Sequence, residues 1–339
     1  MTISTGSKIT AVDYNGLVEN TNKIFADNYS SSTPSTDPTE QAARAFGWGN
    51  ANATLVTMGT KITASLVNQV VDKLNISAEH TGSEYVLDQV IPGQKITAQI
   101  WQDIQTVLND VAPNKNTAAI GQTTISQLGF IEHSAGFGPA LTYTVALTFD
   151  SFNQARYFFN SGSTIKLSLG KDGGNAAADS WGSVYTRFGT VNFSLSNTLS
   201  TTYNIISENL GFEDLTTGDQ LLLTCNGLGG GGYGYGSYGY GSGGYGYGSG
   251  GYGYGSGGYG YGSGGSNKHI RVYGRLTSST GDFHTGPVVI TLTVALTSSE
   301  TDVTGTHTLY VDSNKATNKT NGAETFSIVG PNYAGSASI

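Results

Sequence analysis

Between Gly229 and Gly265 the chain uses only three residue types: 22 Gly, 10 Tyr and 5 Ser. YGYGS begins at Tyr233, and YGYGSGG then runs four times, from Tyr238, Tyr245, Tyr252 and Tyr259. The block holds no acid, base or metal ligand, so it cannot carry catalysis. It offers aromatic faces on a backbone with almost no side-chain bulk. Alternate residues of an extended chain share a face, which puts the two Tyr of each repeat together. Seven is odd, however, so a continuous strand would reverse its Tyr face at every repeat. A short YGYG piece followed by a Ser-Gly-Gly turn avoids this, because Gly readily takes positive φ. Stacked turns of this kind set Tyr beside Tyr, each pair contributing roughly 0.5–1.5 kcal/mol. The opposing reading is a flexible linker with adhesive Tyr, since ordering so many Gly costs much backbone entropy. Under either reading, Tyr233, Tyr235, Tyr238, Tyr240, Tyr245, Tyr247, Tyr252, Tyr254, Tyr259 and Tyr261 form a candidate receptor or subunit contact.

The 339 residues allow two or three domains. Charged residues make up 12% of the chain, about half the usual share, and Thr, Ser, Asn and Gly are abundant. That balance suits β-rich extracellular or viral scaffolds. A net charge of −8 argues against a nucleic-acid phosphate surface and a polybasic membrane contact. Cys225 is the single cysteine, in the apolar run LLLTC, where a small buried hydrophobe is expected. One thiol gives no disulfide framework, which favours assembly in a reducing cytoplasm. No stretch approaches a membrane-spanning length, and MTISTGSKITAVDYN lacks the features of a signal peptide.

A second repeat lies near the N-terminus. GSKITAVDYNGLVENTN begins at Gly6, GTKITASLVNQVVDKLN at Gly59 and GQKITAQIWQDIQTVLN at Gly93. All three share G-x-K-I-T-A and end on Asn at the seventeenth position: Asn22, Asn75 and Asn109. Each unit reads as a turn, a short Lys-Ile extended piece and a helix capped by Thr10, Thr63 or Thr97, with Asp13 closing a box in the first. Apolar residues then recur at helical spacing: Tyr14, Leu17, Thr21, Ile24 and Phe25; Leu66, Val67, Val70, Val71 and Leu74; Ile100, Trp101, Ile104, Val107 and Leu108. Helices this short must bury that stripe. Two burials are open: a self-contained helical core, or an attachment region whose helices also meet copies of themselves or a larger assembly. Candidate attachment residues are Leu17, Ile24, Val70, Leu74, Trp101, Ile104 and Leu108. Phe46 and Trp48, in AFGWG, read as core filler ahead of a docking knob.

From Ala140 the period changes to two. LTYTVALTF, TIKLSL, SVYTRFGTVNFSL, TTYNIIS and DQLLLTC read as strands, and HIRVYGRL, VVITLTVAL, THTLYV and TFSIV follow the Gly/Tyr block. DQLLLTCNG and NKHIRVYGR look like neighbours in one sheet, so the block reads as an excursion from a sheet edge or tip. The expected fold is α+β and mainly β. Residues 1–115 would form an N-terminal helical repeat region. Residues 116–339 would form an antiparallel β-sandwich or jelly-roll-like region interrupted at 229–265.

The five His show no zinc spacing, and GLGGGGYG lacks the GK[ST] and helix of a phosphate loop. Glu208, Glu213, Asp214 and Asp219 form a mild acidic cluster, read as a solvated loop rather than a calcium site. No Ser-His-Asp or GxSxG arrangement appears. The expectation is a non-enzyme with no cofactor and no metal.

Three sets of segments go beyond generic patterning: the GxKITAxxxN opening with AFGWGN at Ala45–Asn50; DSFNQARYFFNSGSTIKLSL at Asp150–Leu169 with SWGSVYTRFGTVNF at Ser180–Phe193; and DVTGTHTLYVDSN at Asp302–Asn314. They resemble structural proteins of tailed bacteriophages, particularly contractile-tailed phages of aquatic bacteria. The middle segment, with its Arg-Tyr-Phe-Phe-Asn-Ser-Gly turn leading into a strand, is the most specific. The resemblance implies a virion protein of a fibre, tail or baseplate and supplies no catalytic residue. The regular YGYGSGG block departs from the pattern. Expected partners are the chain itself, as a trimer or higher homo-oligomer, other virion proteins and a host surface glycan, without nucleic acid or membrane insertion. The expected location is the virion, assembled in the host cytoplasm. The alternatives are a passive architectural virion protein (capsid decoration, tail or baseplate) and a cellular self-assembling surface filament.

Overall fold

The computed structural model describes residues 9–26, 47–202, 205–226, 268–281 and 286–339, with the backbone of two dipeptides between 243 and 248. Thr10, Thr63 and Thr97 cap α1 (Ala11–Phe25), α2 (Ala64–Thr81) and α3 (Ala98–Val111). Each Thr side chain accepts from the N–H three residues on, which satisfies a donor left open at the helix start. Asp13 completes the box in α1 by accepting from the Thr10 N–H at 2.8 Å. The stripes read from spacing are buried. Leu66 and Ile100 are only partly covered, at the rim.

The strands follow as β1 (Thr123–His133), β2 (Ala140–Phe149), β3 (Thr164–Asp172), β4 (Thr190–Phe193), β5 (Thr198–Ser200), β6 (Ile206–Ser207) and β7 (Gln220–Asn226). Next come the dipeptides β8 (Gly243–Gly244) and β9 (Tyr247–Gly248). The last are β10 (His269–Ser278), β11 (Val288–Thr297), β12 (Thr306–Ala316), β13 (Lys319–Asn321), β14 (Glu324–Phe326) and β15 (Asn332–Ser338). Two antiparallel sheets result, ordered β1-β12-β3-β4-β5 and β15-β2-β11-β10-β7-β6. The fold is therefore α+β, mainly strand and sandwich-like. In β2 every second residue is buried, from Leu141 to Phe149, as one covered sheet face requires.

Two stretches are helix where the sequence reading had a strand or a turn. SVYTRF belongs to a helix, α5 (Ala176–Phe188), and only TVNF continues as a strand. RYFFN ends a helix, α4 (Phe152–Asn160), with the turn confined to Ser161 and Gly162. Both stretches are rich in aromatic or β-branched residues that suit strands. Helix wins because Ser151 and Asn175 cap the starts, and because helical spacing drives one face between the sheets. Phe159 of α4 lies 5.3 Å from Phe193 in the first sheet and 6.3 Å from Phe149 in the second. Trp181, Val184, Tyr185 and Phe188 are the buried face of α5. β1, β5, β13 and β15 are further strands that the alternation did not reveal; of TFSIV only Thr325 and Phe326 are strand, and of the described residues of TTYNIIS only Ile206 and Ser207.

The helical region and the sandwich share one apolar core. The β13–β14 hairpin turns through Gly322, at φ +56°, and lies on α2. There Glu324 pairs with Lys73, whose ammonium also sits 4.7 Å from the Phe25 ring. Phe326 packs against Trp48 at 5.2 Å and His80 at 5.0 Å.

Candidate functional site

The neck of the Gly/Tyr block is built by β7 and β10, which pair until Asn226 stands opposite His269. There the Asn226 side-chain oxygen lies 3.0 Å from His269 Nδ1. Next to it Lys268 is 4% exposed, donates to Glu300 at 2.6 Å and sits 5.7 Å from the Trp181 ring. Arg187 donates to the Asn226 carbonyl at 3.4 Å. The chain thus leaves and re-enters the same sheet end through a clamped pair of neighbouring strands, the adjacency read from DQLLLTCNG and NKHIRVYGR. The ten tyrosines lie outside the described residues, except for the backbone of Tyr247, which pairs with Gly244. Cys225, just inside the neck, is buried; burial pushes its thiol above the usual range, against a smaller opposing pull from Arg187. That thiol is core, not nucleophile.

Leu17, Ile24, Val70, Leu74, Trp101, Ile104 and Leu108 are all 3% exposed or less. They meet one another and their neighbours inside the chain, with Trp101 and Tyr14 ring centroids 6.4 Å apart. Trp48 is buried likewise, and Phe46 lies outside the described residues. What the helical region presents outward is the end where its GxKIT segments converge. Ile9, Ile62 and Ile96, the same position in the three units, line one shallow depression of about 640 Å³ with Met58 beside them. Met58 is 95% exposed, and Lys61 and Lys95 stand exposed next to two of the isoleucines.

The repeat asparagines do something the sequence reading missed. Asn22 donates to the Ala53 carbonyl at 3.1 Å and accepts from the Ala53 N–H at 2.7 Å. Asn15 does the same to Val56, at 2.8 and 2.9 Å. In the second unit Asn75 holds Leu87 and Asn68 holds Val90 by the same paired bonds, all at 2.8–3.0 Å. A side-chain amide has one acceptor and one donor end, so it satisfies both backbone groups of one extended residue. Each of these two helices therefore clasps the segment leading into the next. The signal was present in the sequence as Asn at the tenth position of units one and two, as well as at the seventeenth.

Of the acidic cluster, Asp214 accepts from the Gly211 N–H at 2.8 Å and Asp219 faces Arg275 at 3.6 Å, both local roles. Among the described residues no group of His, Cys, Asp and Glu could hold a metal ion, and no helix is long and apolar enough to cross a membrane. Two histidines are buried. His80 donates through Nε2 to the Ser161 carbonyl at 2.8 Å, and burial depresses its pKa to about 4. His307 lies 2.7 Å from the Tyr185 hydroxyl and is also shifted down by burial. Neither reaches a surface where a substrate could sit. No protein-family profile, curated protein or solved structure matches the chain.

Proposed function

We propose that the chain is a structural protein of a tailed-bacteriophage virion, a tail fibre or tail-associated adhesin that meets the host surface through the Gly/Tyr block. One observation carries this reading. The block is inserted at a clamped strand end, between neighbours that pair with each other up to Asn226 and His269. A long aromatic segment at such a place is carried for what it touches. Tyr suits a glycan, because its ring packs on sugar C–H groups while its hydroxyl hydrogen-bonds. Each such contact is weak, and many copies on one particle supply avidity.

The seven apolar helix residues are committed to the core, so attachment to the particle falls to the GxKIT pole with Met58 at its edge. The test is deletion of Gly229–Gly265 in the phage genome. Normal particle yield with lost adsorption to host cells is the expected result. Particles that fail to assemble would instead assign the block to subunit packing, the architectural alternative. Met58→Asp is expected to lower incorporation of the subunit into particles while leaving its own folding unchanged.

A further inference from the structure

The outer face of the first sheet carries apolar side chains around one pair of opposite charges. In β12, Leu309, Val311 and Ser313 are buried on the inner side, so Tyr310, Asp312 and Asn314 point outward. The strand register carries this alternation across the sheet. Phe130, Tyr310, Ser168 and Thr190 stand in one outward row. Gln127, Asp312, Lys166, Asn192 and Leu199 stand in the next, and Ile125 lies opposite Asn314 in a third. Ile125, Phe130, Leu199 and Tyr310 are between 41% and 60% exposed. Apolar side chains gathered on one face and rimmed by polar ones mark a contact surface. The face is also low. The Tyr310 ring leans over Gly170 of β3, where a Cβ would stand 3.0 Å from it.

Charge says what fits there. Asp312 and Lys166 stand opposite each other on β12 and β3, and among the described residues no salt bridge joins them. A twofold axis along the strands, between β12 and β3, sets Asp312 over the Lys166 of a second copy and Lys166 over its Asp312. It also sets Tyr310 over Ser168 and Phe130 over Thr190, so each ring meets a small side chain. A twofold axis across the strands, through the same row, would stack Asp312 on Asp312 and Lys166 on Lys166, which repel. The face is thus complementary to itself in one orientation, as a contact between identical copies requires.

We propose that two copies of the chain pair through this face, about a twofold axis parallel to the strands between β12 and β3. β4 and β5 are short, so the matched area is on the order of 400 Å² per copy, the size of a weak and reversible contact.

Sedimentation equilibrium of the full chain, up to about 1 mM, tests the pairing. The parent is expected to associate. Lys166→Asp and Asp312→Lys each set like charges across the axis, and each is expected to weaken association at least about tenfold with unchanged circular dichroism. Mixed in equal amounts, the two variants are expected to associate at least as strongly as the parent, because every Asp then faces a Lys. The exchange of both residues in one chain, Lys166→Asp/Asp312→Lys, is expected to restore self-association as well. A parent that stays monomeric overturns the proposal and gives the face to a different molecule. Association that both single variants keep also overturns it, and assigns self-contact to another surface. Loss that neither the mixture nor the exchanged chain repairs overturns it too.

Discussion

The indole N–H of Trp48 is shared between the carbonyls of Lys115, at 3.0 Å, and Asn160, at 3.1 Å, so one side chain joins the segment before α2 to the ends of α3 and α4. Asn160 returns a bond to the Gly47 carbonyl at 3.0 Å. Trp48→Phe keeps an aromatic ring against His80 and Phe326 but removes the donor to both carbonyls, and is expected to cost about 1–3 kcal/mol. Trp48→Ala adds a cavity and is expected to cost about 3–5 kcal/mol. Urea denaturation checks this order, as a fall in midpoint at constant slope.

The repeat supplies a matched pair of substitutions. Asn75→Ala leaves the Leu87 N–H and carbonyl without their amide partner in a partly covered groove, at an expected cost of about 1–3 kcal/mol. Asn109 occupies the same repeat position but is exposed, and among the described residues its side chain accepts from Gln105, one turn back on its own helix. Asn109→Ala is expected to stay within about 0.5 kcal/mol of the parent. Ala is the better helix former, so propensity alone would raise stability in both variants, and equal losses would show that the Leu87 clasp is not what Asn75 contributes.

His80 makes stability depend on pH. Its folded pKa of about 4 lies below the ordinary 6.5, because burial disfavours the charged ring. Between those values the unfolded chain binds a proton that the folded chain does not. Stability is therefore full above pH 6.5, falls as pH drops through the window and levels off below 4, a total of about 3 kcal/mol from this group. The ring nitrogen that would take the proton, Nδ1, is buried with no hydrogen-bond partner among the described residues. His80→Gln keeps a donor for the Ser161 carbonyl and cannot titrate. Its chemical-denaturation profile is expected to be flatter than the parent's from pH 6.5 to 4, with the His307 contribution common to both.

Lys73 is completely buried and its partner Glu324 is 14% exposed, so neither charge is well hydrated once the other is gone. Glu324→Leu alone is expected to cost about 3–5 kcal/mol. The double variant Lys73→Met/Glu324→Leu is expected to recover most of that loss, because it removes the stranded ammonium together with its partner. A double-mutant cycle measures the recovery. A double variant as unstable as the sum of the singles would mean that the hairpin is held by packing alone.

What could be read in the sequence depended on whether a local rule and the tertiary outcome agreed. At Thr10, Thr63 and Thr97 they agreed, because a cap and an apolar stripe are both local patterns. They agreed again at β7 and β10, whose alternation resumes across the Gly/Tyr block. They conflicted in SVYTRF, where strand-favouring residues form a helix because Trp181, Val184, Tyr185 and Phe188 fall on one helical face between the sheets. β15 was hidden for a different reason. Its NYAGSAS is short of large apolar residues and largely exposed, and it is a strand because it pairs along β2 from Asn332 to Ser338. The clasps were half visible: the shared Asn at the seventeenth position stood out, but its hydrogen-bond partners lie in segments that share little sequence.

Strand order has a consequence for how such a chain comes off the ribosome. Among the described residues β1 pairs with β12, β2 is flanked by β11 and β15, and one side of α2 is covered by the β13–β14 hairpin. β1 and β2 thus wait for partners synthesised well over a hundred residues later, whereas β3, β4 and β5 pair locally. Until residues 288–338 emerge, the apolar face of β2 has no strand beside it and the hairpin side of α2 is bare. The nascent protein is therefore most open to aggregation and to chaperone capture just before its synthesis ends, and a product truncated near residue 280 should be insoluble rather than partly active.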